Sequence, residues 1–214
     1  VTVPRQPLFV GEPALIVVDI QRGSAAPGGQ AGIPHMPGAL DRIARAERLV
    51  AAARQARIPV IFFQEVHRRS GVDFGRELDG TEGLHCLEGD PSTELWPTLQ
   101  PLDTEHLIVK RRYSGFIGTE FELLLRGLSV STLVLIGGLT DVCVHYTFAD
   151  AHQRDFYARV VEDCVGGSTH ARHLASLDAM EYLQAGARRS TQEIIDAFAV
   201  LAAGRVLTPT GAAL

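Results

Sequence analysis

Three residues able to do chemistry stand at or just beyond the ends of short apolar runs. Asp19 follows Ala14-Leu15-Ile16-Val17-Val18, Lys110 follows His106-Leu107-Ile108-Val109, and Cys143 lies a few residues past Leu133-Val134-Leu135-Ile136. Runs this short and this rich in β-branched residues predict buried parallel strands. In an open parallel sheet the carboxyl ends of the strands share one rim, and ligands bind in the crevice there. A carboxylate, an ammonium and a thiol far apart in sequence can therefore meet.

Cys143 is the candidate nucleophile. Gly137 and Gly138 break its strand, Thr140 and Asp141 are candidate helix caps, and an amphipathic helix is predicted to run on through Ala149. In the first turn of such a helix, unpaired N–H groups and the positive dipole end favour a thiolate. Against this, a free cysteine is most often a small buried hydrophobe, so residue type alone does not settle its role. Lys110 is the only lysine; the other nineteen basic residues are arginine. Either a compact ammonium is required at this position or one lysine has survived by chance.

The elements that must position these groups follow in order. After the first strand, Gln21 to Pro37 is rich in Gly, Pro and Ala and reads as a loop. A helix is predicted from Pro37 to Arg57, with Ala39, Ile43, Ala46, Val50 and Ala53 on one face. A strand at Pro59–Gln64 leads through Glu65-Val66-His67 into a long loop with one helical stretch at Glu94–Leu99. Loops of that length usually serve function, and this one is read as the pocket wall, with His67, Arg68, Arg69, Asp73, His85 and Trp96 as candidate lining residues. Arg111–Gly118 is a loop carrying Tyr113 and Phe116, followed by a helix at Thr119–Arg126. Beyond the Cys143 helix come a strand at Tyr157–Val161, a helix at Ala171–Gln184, a short strand at Ala187–Arg189, a helix at Thr191–Ala202 and a loose arm past Gly204. Strands alternating with helices specify an α/β fold whose parallel sheet is covered on both faces.

A chain of 214 residues, 46% of them hydrophobic, fits one domain over residues 1–214 with an ample core. Its apolar runs fall short of the roughly 18 residues a membrane span needs, and the first thirteen residues lack the apolar core of a signal peptide. A net charge of −5 argues against a nucleic-acid partner. Three widely spaced cysteines, Cys86, Cys143 and Cys164, argue for a reducing, cytoplasmic setting rather than a disulfide framework.

The segments ALIVVDIQ, VKRRYSGF and LIGGLTDVCVHYTFADA resemble the signature segments of the isochorismatase-like cysteine hydrolase superfamily, which includes nicotinamidases, N-carbamoylsarcosine amidohydrolase and ureido-acid amidohydrolases. The resemblance runs from about Leu15 to Phe198. It implies a Rossmann-like six-stranded parallel sheet with helices on both faces, and a catalytic triad of Asp19, Lys110 and Cys143. It also implies an oxyanion hole from the backbone N–H groups of Leu139 and Cys143, held by a cis peptide at Gly138-Leu139. The expected activity is hydrolysis of a C–N bond in a small amide or ureido substrate through a thioester, with no cofactor. Gln21, His67, Arg69, Trp96, Tyr113 and Phe116 are the expected substrate-binding residues, and a homodimer or homotetramer is the expected assembly.

Isochorismatases proper cleave a vinyl ether and lack the nucleophilic cysteine, so Cys143 disfavours that reaction. Nicotinamidases bind a metal through an Asp-x-His pair and a further histidine; the chain is read as having no Asp-x-His pair anywhere, so no metal is expected. His67, His85 and Cys86 match no standard zinc spacing. A silent binding protein of the same fold is the remaining alternative, and an intact triad weighs against it.

Overall fold

The computed structural model describes residues 6–25 and 32–207. Six strands, β1 (Glu12–Val18), β2 (Val60–Glu65), β3 (His106–Lys110), β4 (Val130–Gly138), β5 (Tyr157–Gly166) and β6 (Arg188–Arg189), form one sheet in the order β3-β2-β1-β4-β5-β6. Every neighbouring pair is parallel. The chain winds outward from β1 through β2 and β3, then returns to β4 and winds the other way. The boundary between β1 and β4 is thus the switch point of the sheet, where a crevice opens at the strand ends.

The uninterrupted apolar run on β1 is explained by two cores. Ala14, Ile16 and Val18 face α2 (Phe121–Gly127), α3 (His145–Gln153) and α4 (His170–Leu183), while Leu15 and Val17 face α1 (Ala39–Gln55) and α5 (Thr191–Leu207). Alternate residues leave on opposite faces of a strand, so a strand covered on both sides must be apolar throughout.

Several boundaries differ from the sequence reading. The segment Glu94–Leu99 is not helical: Pro97 disfavours a helix through it, and the Trp96 N–H donates to Ile20 O at 2.9 Å, binding the loop to the exit of β1. Gly38 caps α1 with φ 89°, so that helix starts at Ala39 and not at Pro37. β5 runs on to Gly166, and α5 continues past Gly204 to Leu207. The rest of the expected arm lies outside the described residues.

Gly137 marks how tightly the central strands approach at the crevice. It has φ +110°, and a Cβ there would lie 2.0 Å from the carbonyl oxygen of Val18. Neither the conformation nor the space admits a side chain. Gly137→Ala is expected to lower stability by at least about 2 kcal/mol. Denaturant unfolding is the check, and a midpoint equal to wild type would contradict this packing.

Candidate active site

Glu65 and Lys110 are register partners at the ends of β2 and β3. Partners on adjacent strands project to the same face, so their side chains lie together. Lys110 is fully buried, and its Nζ lies 2.8 Å from Asp19 Oδ2, 2.5 Å from Glu65 Oε2 and 3.4 Å from Cys143 Sγ. Asp19 takes a left-handed backbone conformation (φ 49°) just past β1, a conformation a short polar side chain tolerates better than most. The three predicted groups are thus brought together, with Glu65 as a fourth member.

Cys143 reaches the cluster from an irregular corner. The Gly138-Leu139 peptide is cis, and Thr140–Val144 forms a single π-helical turn before α3 begins at His145. Thr140 and Asp141 do not cap this turn. Thr140 Oγ1 meets His173 Nδ1 at 2.9 Å, and Asp141 Oδ1 accepts from the Ser168 N–H at 2.8 Å, so both tie the corner sideways toward α4.

Burial controls the protonation states. It pushes the Cys143 thiol well above its usual range, although the Lys110 charge opposes this. The resting sulfur is therefore a thiol and not the thiolate expected from a helix N-terminus. Burial also raises Asp19, to about 6, against the pull of Lys110. For Glu65 the burial penalty is outweighed by Lys110, His67 and His85, which hold it well below the ordinary glutamate range. Two carboxylates beside one thiol thus differ in character: Asp19 is poised near neutrality, while Glu65 is a fixed anion.

Behind Glu65 is a second buried cluster. Glu65 Oε1 lies 3.2 Å from His67 Nε2 and 3.1 Å from His85 Nε2, and Glu77 Oε2 lies 3.2 Å from His67 Nε2. Ligand atoms of Glu65, His67, Glu77 and His85 all fall within 4.8 Å of one another. Glu77 Oε1 and His67 Nδ1 are buried without a hydrogen-bond partner. Two carboxylates, one with an unpartnered oxygen, and two imidazoles suit a divalent cation. Cys86, weighed with His67 and His85 as a zinc set, stands apart, with its Sγ 3.9 Å from Gln21 Oε1. The spacing Glu65-x-His67 equals that of the Asp-x-His pair sought in the sequence, one methylene longer. Contrary to the expectation, an Asp-x-His triplet does occur, Asp150-Ala151-His152, but it lies in α3, where His152 meets Gln184, away from this cluster.

A cavity of about 850 Å³, its open mouth included, leads to Cys143. Of the six expected binding residues, Gln21 and Tyr113 line it. The Gln21 amide is already engaged, donating to Glu65 O (3.0 Å) and Thr93 O (2.6 Å) and accepting from the Glu65 N–H (3.2 Å). Tyr113 donates to Glu82 Oε2 at 2.9 Å. His67 is buried behind Glu65, Phe116 packs in the core against Phe121, Arg69 donates to Glu88 O on the surface, and Trp96 packs beside the α1 core. Glu65, Glu77, Glu82 and Arg42 escaped the sequence reading. Only Glu65 carried a usable signal, since it ends a buried strand as Lys110 does.

A parallel sheet with this crevice and buried thiol has the fold of the isochorismatase-like hydrolases. An isochorismatase family protein from Desulfovibrio vulgaris aligns over 89% of this chain and all of its own, with TM-score 0.77 and 27% identity. N-carbamoylsarcosine amidase from Thermoplasma acidophilum aligns over 84% of this chain and 96% of its own, with TM-score 0.72 and 27% identity. The chain belongs to the isochorismatase family, whose domain model matches residues 13–194. Among curated relatives, the ureidoacrylate amidohydrolase RutB of Methylobacterium radiotolerans is 34% identical over 78% of this chain and 72% of the relative.

The histidine cluster has a consequence for stability. Burial lowers the His67 pKa, but hydrogen bonds and charge from Glu65 and Glu77 outweigh it and raise it from 6.5 to about 9. A raised folded-state pKa contributes stability that is complete below 6.5 and is lost as pH rises through 9. In chelator-containing buffer, the urea midpoint is expected to fall across that window, and His67→Gln to flatten the fall. A flat wild-type profile would mean that the imidazole is neutral when metal-free.

Proposed function

We propose that this protein is a cysteine-dependent amidohydrolase acting on a C–N bond of a small ureido or amide compound. The observation that carries the reading is one buried ammonium in contact with Asp19, Glu65 and the Cys143 sulfur, three groups that line a cavity. The names of its relatives support it: RutB is a ureidoacrylate amidohydrolase, and a structural neighbour is N-carbamoylsarcosine amidase.

The steps follow from the protonation states. Asp19 takes the thiol proton as the Cys143 sulfur attacks the substrate carbonyl, forming the S–C bond. Glu65 is the weaker base of the two, because its pKa lies further from neutrality. The oxyanion is received by the backbone N–H groups of Leu139 and Cys143. Asp19 then gives its proton to the leaving nitrogen as the C–N bond breaks, and water attacking the thioester restores the thiol. None of these steps calls for a cofactor. A cation held by Glu65, His67, Glu77 and His85 would supply positive charge behind Glu65 and would require both imidazoles to be neutral.

We also read the chain as one domain, cytoplasmic and assembled as a homodimer or homotetramer, with no nucleic-acid or membrane partner. Three free cysteines and a net charge of −5 support the setting, and no helix among the described residues is long and apolar enough to cross a membrane.

Ammonia release from carbamoyl amino acids and simple amides tests the reading. The expected kcat/KM is constant above pH 6 and falls about tenfold per unit below it as Asp19 protonates. Cys143→Ala should leave less than about a thousandth of the rate in a folded protein. Retention of more would exclude covalent catalysis by this residue.

Lys110→Arg provides a separate check. The Nζ fills a fully buried space between three groups within 3.4 Å, too small for a planar guanidinium. The expected loss in kcat/KM is at least about a hundredfold, or roughly 2.7 kcal/mol. Activity within a few-fold of wild type would reduce Lys110 to a generic positive charge.

A further inference from the structure

The cavity that reaches Cys143 also contains a cation with no assigned role. Arg42, in the first turn of α1, lines it, and none of the ion pairs among the described residues includes it. Its Nη1 donates to Pro37 O at 2.7 Å and its Nη2 to Met36 O at 3.1 Å, which fixes the guanidinium and leaves three of its five N–H groups for other partners. The guanidinium lies over Gly166, where a Cβ would be 2.5 Å from Nε and 2.6 Å from Cζ. Gly166 is the register partner of Gly138, the residue before Leu139, so the cation lies over the strand next to the corner proposed to receive the oxyanion.

The carboxylates of the cavity are engaged elsewhere. Asp19 and Glu65 pair with Lys110, and Glu82 accepts from Tyr113 while burial favours its neutral form. Nearby, Arg45 adds positive charge, and Asp41 on the same helix only partly offsets it. A half-buried guanidinium without a counter-ion is costly unless something supplies one. Ile33, Ala39 and Ile43 line the cavity with apolar surface alongside these groups.

We propose that Arg42 is the specificity residue of this pocket and binds a substrate carboxylate, so that the substrate is a short carbamoyl or amide acid. The carbonyl would face Cys143, a short apolar spacer would lie along the cavity wall, and the carboxylate would take charge-assisted hydrogen bonds from Arg42. The N-terminus of α1 adds favourable potential for an anion. The inference rests on the amidohydrolase reading for its reaction but on Arg42 alone for its selectivity.

The test compares N-carbamoyl-β-alanine with its neutral methyl ester. Wild type is expected to prefer the acid by about a hundredfold in kcat/KM, expressed in KM. In Arg42→Gln that acid-to-ester ratio should collapse toward one, Arg42→Lys should restore part of it, and Gly166→Ala, which displaces the guanidinium, should lower it too. A merely structural role for Arg42 would lower both substrates alike, leave the ratio unchanged and overturn the proposal. If neither compound is hydrolysed, protection of Cys143 from iodoacetamide decides. Protection by the acid that is lost in Arg42→Gln upholds the carboxylate site while the amidohydrolase reading fails; no protection overturns the site as well.

Discussion

Everything at this crevice depends on the Lys110 ammonium. A fully buried lysine would ordinarily lose its proton; here the neighbouring carboxylates of Asp19 and Glu65 raise its pKa well above the usual value against burial. The charge in turn keeps Glu65 ionised and moderates Asp19. A neutral residue at this position would leave two buried carboxylates facing each other, an arrangement that forces one to take up a proton. The ends of β1, β2, β3 and β4 therefore need the same cation, which fits its persistence in a chain that otherwise uses arginine.

Much of this was legible in the sequence because it rests on local pattern. Continuous apolar runs gave strands covered on both faces, and strand ends converge by the geometry of parallel sheets, so Asp19, Lys110 and Cys143 could be brought to one rim unseen. Glu65 was passed over because a glutamate after an apolar run is unremarkable until its register partner is known, and register is a long-range property. Glu77 and His85 come from an irregular loop of about forty residues, whose path no periodicity records.

The failed expectations have a common cause. Thr140 and Asp141 have the composition of caps, but His173 in α4 and Ser168 just before it compete for them. Cys143 has the position of a dipole-stabilised thiolate, but burial opposes charge more strongly than one helical turn favours it. Glu94–Leu99 contains helix formers, yet Pro97 interrupts it and the Trp96 N–H goes to Ile20 O at the exit of β1. Tertiary context overrode a local preference in each case.

The two oxygens of Glu65 face different neighbours: Oε2 meets Lys110 and Cys143, and Oε1 meets both imidazoles. One rigid carboxylate thus separates a reacting compartment from a histidine compartment while keeping them in electrical contact. Whatever occupies the rear, whether protons or a cation, sets how much negative charge the front oxygen presents to the sulfur. The rear compartment can then be rebuilt by substitution in a surface loop, shifting the reactivity of the nucleophile without altering any group that touches it.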